Sequence, residues 1–429
     1  MAENDRIQKP FPMDAFIIHG GRRLRGTARI NGSKNAALPI LIASLLTDEP
    51  CVIQNVPNLR DINTTYRLLE ELGKTVTVSG KSVTVGFRRK LKTKAPYEIV
   101  KQMRASILVA GPLLARFGNV RVSLPGGCAI GLRPIDIHLK GFEAMGAESH
   151  TEQGDVVLAT EGLAGRTVRF SFPSVGATEN VMMAAAATEG VTSIENAARE
   201  PEIEDLADFL NKMGATVTGA GGKRIRIEGA ARLSGAKHRV IPDRIETGTY
   251  LCAVAAAGGD VTLKEAVYEH LEALIAAMRK AGAKITKVPG GIRIVSSGRP
   301  KPVSILTKPH PGFPTDVQAP WMAYMALCRG KAKVRETIFE NRFMHAAEML
   351  RMGASIVVNG NTATLRGVPD LSGAEIMASD IRAGAGLVVA GLAAQGTTKI
   401  QRVYHIDRGY ERIESVFRRL GANILRVKE

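Results

Sequence analysis

The chain has 429 residues, with 58 Lys and Arg against 41 Asp and Glu for a formal charge of +17; 45% of it is hydrophobic and 5% aromatic. These proportions exclude a disordered chain, and at roughly 150 residues per domain the length supports two or three domains that need no disulfide staples. The basic excess leaves nucleic acid, anionic lipid or an anionic substrate as partner classes.

From the N-terminus, MAENDRIQKPFPMDAF carries charges from its third residue and lacks the apolar core of a secretory signal. FIIHGG at 16–21 reads as a strand. NGSKNAALP at 31–39 then puts Lys34 and Asn35 at the start of an alanine-rich helix, where free N–H groups and the dipole favour an anion. A cap at Ser33 with a solvated Lys34 is the alternative, and the P-loop spacing is missing.

ELGKTVTV at 71–78 joins an amphipathic stretch to alternating apolar residues through a glycine, which reads helix, C-cap, strand. The phrase recurs as AMGAESH (144–150), KMGATVT (212–218), KAGAKIT (280–286), RMGASIV (351–357) and RLGANIL (419–425). Its six glycines, Gly73, Gly146, Gly214, Gly282, Gly353 and Gly421, stand 68 to 73 residues apart. Ahead of each lies an alanine-rich, nearly uncharged segment, at 35–46, 105–115, 177–187, 248–257, 319–327 and 383–394, which reads as a helix buried on all sides. Six units of helix, strand, helix, strand, strand, split three and three, predict an α/β chain of two similar domains with a cleft between them. The domains expected are 33–241 and 1–32 plus 242–429, the second completed by the N-terminal strand.

The chemistry-bearing segments fall at corresponding places in these units. Arg104 precedes the second buried helix, and LPGGCAIGLRP at 124–134 sets Cys128 in a glycine-rich loop with Arg133 beyond it. Nearby cations lower a thiol's pKa toward neutrality, so Cys128 is a candidate proton donor or nucleophile, with an inert turn cysteine as the alternative. Cys51, Cys252 and Cys328 sit in strand and alanine-rich contexts and read as core. FPSVGATEN at 172–180 offers Ser174, Val175 and Gly176 as a backbone contact or an ordinary cap. Asp316 in HPGFPTDVQAP and Asp380 with Arg382 in ASDIRAGAG precede the fifth and sixth buried helices, where capping is again the alternative. Arg408 and Arg412 in YHIDRGYERIE are anion ligands or solvated surface. GAGLVVAG at 384–391 does not fit GxGxxG, and His138, His345 and His405 have no partner at metal-ligand spacing. The longest charge-free stretch, 383–398, is too short and too rich in Gly, Gln and Thr for a membrane span.

Taken together, SKNAALPIL, LPGGCAIGLRPID, FPSVGATEN, AAREPEIEDLADFL, PDRIETGTY, FPTDVQA, ENRFMH and YHIDRGYERI resemble the motifs of the enolpyruvyl transferase family, and within it the bacterial UDP-N-acetylglucosamine 1-carboxyvinyltransferases. The resemblance runs essentially end to end, and the Cys128 loop sets the chain apart from the shikimate-pathway sister enzymes. It implies a two-domain inside-out α/β barrel of six repeats, three per domain, whose cleft closes on the sugar nucleotide. The implied reaction joins phosphoenolpyruvate to the 3-hydroxyl of UDP-N-acetylglucosamine by addition and elimination, releasing phosphate in the first committed step of peptidoglycan synthesis. No metal or organic cofactor, nucleic-acid partner or membrane insertion is implied, and the expected location is the cytoplasm.

By the same resemblance Cys128 is the proton donor, forms a phospholactoyl adduct and is alkylated by fosfomycin, while Asp316 holds and deprotonates the sugar hydroxyl. Lys34, Asn35, Arg133 and Arg408 match the phosphoenolpyruvate site. Arg104, Arg133, Pro134, Ile135, Asp136, Ile137, Phe172, Pro173, Ser174, Val175, Gly176, Asp316 and Ile338 match the sugar-nucleotide site. Asp380 and Arg382 match residues near the reacting centre, so the catalytic set is Cys128, Asp316, Lys34, Arg408, Asp380 and Arg382. A nucleic-acid-binding protein is the rival class, but the 20 aromatic residues do not cluster with Lys and Arg as a stacking platform requires.

Overall fold

A computed structural model describes residues 14–101, 103–123 and 135–428. Its strands form six four-stranded sheets of one pattern. In the second, Lys94–Ala95 runs parallel to Asn119–Ser123, which pairs antiparallel with Asp155–Ala159, itself antiparallel to Glu148–Glu152. A buried helix connects the two parallel strands, and an amphipathic helix connects the second of them to the hairpin. The sequence pattern thus lacked one member, the short parallel strand ahead of each buried helix.

The buried helices are Lys34–Ala43, Ala110–Phe117, Val175–Ala186, Arg244–Ala257, Gln318–Met325 and Ile381–Ala393. All eight residues of Gln318–Met325 are buried, as expected of a helix without a polar face. Small side chains let these helices approach: a Cβ on Gly386 would lie 2.8 Å from the Ala319 carbonyl carbon, and one on Gly111 would lie 2.3 Å from the Asn180 carbonyl oxygen. The amphipathic helices are Arg60–Leu72, Asp136–Ala144, Pro201–Met213, Glu272–Ala281, His345–Arg351 and Ile413–Arg419. The six repeated glycines that follow them all have positive φ, from 82° to 117°, the conformation that ends a helix without a Cβ penalty.

The apolar side chains gather in two cores. One draws on residues between Ala36 and Val240, the other on Phe16 to Ile30 and Ile245 to Ile424. In both, the apolar helices lie inside and the sheets outside, the inside-out α/β arrangement expected. Each trio of repeats closes on itself with borrowed strands. Lys237–Arg239 runs parallel to Cys51–Gln54 and supplies the first sheet's leading strand.

The N-terminus contributes two strands where the sequence suggested one. Asp14–His19 lies between Thr397–Gln401 and Asn423–Lys428 in the sixth sheet, and Leu24–Arg29 leads the fourth, parallel to Gly259–Lys264. Leu24–Arg29 buries only Leu24 and Ala28, so its apolar alternation is broken and invisible in sequence. The chain passes between the cores twice, side by side: Ser33 N donates to Ile241 O at 2.7 Å and Asp243 N to Asn31 O at 2.8 Å. Among the described residues no helix is long and apolar enough to cross a membrane.

Candidate active site

At the start of the first buried helix Ser33 is the cap, its Oγ accepting from Ala36 N at 3.3 Å. Lys34 is nevertheless not solvated. It is buried, and its Nζ lies 3.3 Å from Asp61 Oδ2. The other Asp61 oxygen accepts from Arg408 Nε at 2.9 Å, so a residue from the second core completes the cluster. Burial, reinforced by the charges of Arg382 and Arg408, pulls Lys34 below the usual lysine range, and Asp61 opposes that pull. Burial would raise the Asp61 pKa, but Lys34 and Arg408 together hold the carboxyl below its ordinary value. Asn35, half-buried, is the second residue of the helix.

The fifth repeat shows the converse arrangement. Asp316 lies in the turn Thr315–Val317 ahead of Gln318–Met325 and makes no capping bond, which removes that alternative. Its Oδ1 takes both Arg342 Nη2, at 2.7 Å, and Arg382 Nε, at 3.1 Å, while Oδ2 receives no hydrogen bond from any described residue. The two guanidiniums are nearly covered, whereas the Asp316 side chain is 28% exposed. Burial pushes the Asp316 pKa up, but Arg382, Arg342 and Arg244 outweigh it and hold the group ionised, well below the usual carboxylate range.

Supporting contacts fix this geometry. Asp380 does cap its helix, accepting from Arg382 N at 2.8 Å and Ala383 N at 3.0 Å, and so sets the root of Arg382. Arg382 Nη1 also donates to Tyr410 Oη at 3.3 Å. The buried Glu336 carboxylate accepts from Thr315 Oγ1 at 2.9 Å and from Ile338 N at 2.7 Å, tying the Asp316 turn to the segment that carries Ile338. Arg382 links the two clusters, since its charge acts on Lys34 while its Nε holds Asp316.

The remaining predicted residues collect around His138. Arg104 opens the turn Arg104–Val109 that leads into the second buried helix, and its charge joins burial in lowering the His138 pKa to about 4. Ile135, Asp136 and Ile137 begin the helix that carries His138, whose Nδ1 lies 3.0 Å from Asn180 Nδ2. In the stretch Phe172, Pro173, Ser174, Val175 and Gly176, Phe172 is exposed and Ser174 caps the third buried helix, its Oγ accepting from Ala177 N at 3.3 Å. A Cβ on Gly176 would come within 3.1 Å of the His138 ring, so the two segments meet there. Arg412, by contrast, is exposed. Cys128, Arg133 and Pro134 lie outside the described residues.

Sequence reasoning missed Asp61, Arg342, Arg244 and Glu202. Arg244 begins the fourth buried helix, the counterpart of Lys34, and its Nε meets the two oxygens of the buried Glu202 at 3.0 and 3.1 Å. The repeat register alone could have found it. Asp61 carried no such signal, because an acid in a helix's first turn is commonplace. Cys51, Cys252 and Cys328 are free, buried thiols, as read. No three His, Cys, Asp or Glu among the described residues are grouped to hold a metal ion.

Residues 18–417 match the family model described as EPSP synthase (3-phosphoshikimate 1-carboxyvinyltransferase). The chain is 54% identical over 418 residues to a UDP-N-acetylglucosamine 1-carboxyvinyltransferase from Trichlorobacter lovleyi, and 52% identical over 417 residues to one from Geobacter metallireducens. Each alignment covers 97% of this chain and all of the relative. Among solved structures, the enolpyruvyl transferase NikO from Streptomyces tendae superposes with a TM-score of 0.88 at 23% identity, and EPSP synthase from Acinetobacter baumannii with 0.75 at 17%. Both cover 97% of this chain and all of the other, a likeness of fold.

Proposed function

The chain belongs to the enolpyruvyl transferase family, and from that premise we propose that it transfers the enolpyruvyl group of phosphoenolpyruvate to the 3-hydroxyl of UDP-N-acetylglucosamine, releasing inorganic phosphate. Full-length relatives at 52–54% identity are named for that activity. One observation carries the reading at the level of the site. Two cations, Lys34 and Arg408, converge in one corner, while Asp316 leaves one carboxylate oxygen open in a cage of guanidiniums.

In the first step the acceptor oxygen bonds to C2 of phosphoenolpyruvate while C3 takes a proton. In the second the bond from C2 to the phosphate oxygen breaks, C3 loses a proton and the double bond re-forms. The reaction balances without a metal or organic cofactor. Asp316 Oδ2 is suited to accept the hydrogen bond of the sugar hydroxyl. A carboxylate held so far below its usual range is a weak base, so its first contribution is orientation. The hydroxyl proton becomes acidic as the oxygen bonds to carbon, and passes to Asp316 late. Lys34, Arg408 and Arg133 neutralise the phosphate and carboxylate of phosphoenolpyruvate in a water-poor site, and the Asn35 amide adds a hydrogen-bond donor.

Cys128 is the proposed proton donor to C3 and the nucleophile of the phospholactoyl adduct. Asp380 acts through Arg382, which steadies Asp316. The group around His138, namely Arg104, Ile135 to Ile137 and Phe172 to Gly176, together with Arg133, Pro134 and Ile338, is the proposed seat of the nucleotide. The domains are taken as 33–241 and 1–32 plus 242–429, a division supported by the two cores. As the first committed step of peptidoglycan synthesis the reaction serves cell shape and division, and a cytoplasmic setting fits the free thiols Cys51, Cys252 and Cys328.

The test is phosphate release with each substrate omitted in turn and with fosfomycin as a control. Release should need both substrates and stop after the drug, and Cys128→Ala should abolish turnover while nucleotide binding persists. A folded sample that binds the nucleotide yet releases no phosphate would overturn the reading.

A further inference from the structure

Beside the substrate site lies a buried carboxylate to which the resemblance gives no role. Asp61, 5% exposed, sits in the first turn of Arg60–Leu72, and its two oxygens divide between the cores. Oδ2 meets Lys34, whose helix packs in the same core, at 3.3 Å. Oδ1 meets Arg408 at 2.9 Å, and Arg408 closes the turn Val403–Arg408, anchored in the other core by Val403 and Ile406. Two further polar contacts cross the same seam, Asn58 N to Glu411 Oε2 at 3.2 Å and Lys81 Nζ to Glu411 Oε2 at 3.6 Å.

We propose that Asp61 is a positioning residue for phosphoenolpyruvate: it gathers Lys34 and Arg408 into one cationic pair before the substrate's phosphate arrives, and couples that pair to the approach of the two lobes. The proposal rests on the enolpyruvyl-transfer reading above. Two like charges in a poorly solvated seam repel, and a carboxylate between them is what allows both to stay charged. One cation on each oxygen of a rigid planar group also fixes their separation, so little is left to organise when phosphate binds. Because Arg408 meets Asp61 through Nε, its two Nη groups stay outside that pair for the phosphate oxygens. Without Asp61, burial and the neighbouring arginines act on Lys34 unopposed, and Arg408 loses its tie to the first lobe.

The experiment uses the full chain as wild type, Asp61→Asn and Asp61→Glu, with phosphate release as the readout. Asp61→Asn should raise KM for phosphoenolpyruvate by at least about tenfold, leave KM for UDP-N-acetylglucosamine within about twofold, and move the alkaline limb of kcat/KM for phosphoenolpyruvate to lower pH. A merely structural ion pair would not single out one substrate or move that limb. Asp61→Glu keeps the charge, so the limb should stay in place while the longer arm raises KM. It decides the matter should the Asn variant melt early. An active wild type with unchanged KM and pH profile in both variants overturns the role of Asp61. A wild type that releases no phosphate overturns the underlying reaction instead.

Discussion

The clusters at the starts of the first and fifth buried helices contain the same parts, one carboxylate and two cations, yet present opposite charges. Asp61 takes one cation on each oxygen and is buried, so what the cluster leaves over is the unused donor capacity of Lys34 and Arg408. Asp316 takes both guanidiniums on Oδ1, so what this cluster leaves over is the acceptor Oδ2. The sign a site presents is thus set by how the bonds are divided and which member is covered, rather than by its list of residues. Pseudo-symmetric repeats make this economical, because the same place in the unit can leave donors over in one lobe and an acceptor in the other.

The largest effect should come from removing the open oxygen. Asp316→Ala is expected to lower kcat by about 10² to 10⁴-fold, the range typical of a positioned acid or base, while calorimetric nucleotide binding weakens by far less. A loss of only a few-fold would reduce Asp316 to a structural turn and break the comparison. A smaller effect should sharpen it. In Arg342→Gln a single guanidinium remains on Oδ1, one of the charges that hold the pKa down is gone, and the carboxylate protonates at higher pH. The acidic limb of kcat/KM should rise and activity fall by about tenfold, as for loss of one hydrogen bond to a charged group; an unmoved limb would mean that Arg342 contributes packing alone.

The smallest effect lies beside the residues proposed for the nucleotide, where His138 has the Arg104 charge nearby and, among the described residues, no hydrogen-bonded carboxylate. Burial, then Arg104, holds its pKa at about 4, so the ring should stay neutral in the fold. A depressed histidine adds stability that is complete above the unfolded value near 6.5 and is lost as pH falls toward 4. Its imidazole resonances should therefore show no titration between pH 5 and 8, and a midpoint near 6.5 would contradict the burial argument.

Much of the frame was legible in the sequence. The six glycines were readable because each needs positive φ, and the alanine-rich segments because a helix with no polar face has only an interior to occupy. The short leading strands were not, since two or three residues such as Lys94–Ala95 or Ile305–Leu306 carry no period. At the site, local sequence placed Lys34 and Asp316 at helix starts but left capping and solvation open. Burial decided the first and the missing cap bond the second. The Asp61–Arg408 pair was beyond reach, because its members stand 347 residues apart, Asp61 reads locally as ordinary helix chemistry, and Arg408, although a candidate anion ligand, carries no sign of which carboxylate it meets.

The most direct test of the division between the two clusters is to measure KM for each substrate, by phosphate release, in Lys34→Met and in Asp316→Asn. The account predicts a crossed pattern, with the lysine variant impaired chiefly in KM for phosphoenolpyruvate and the aspartate variant in kcat and in KM for UDP-N-acetylglucosamine. Equal rises in both constants in both variants would contradict it.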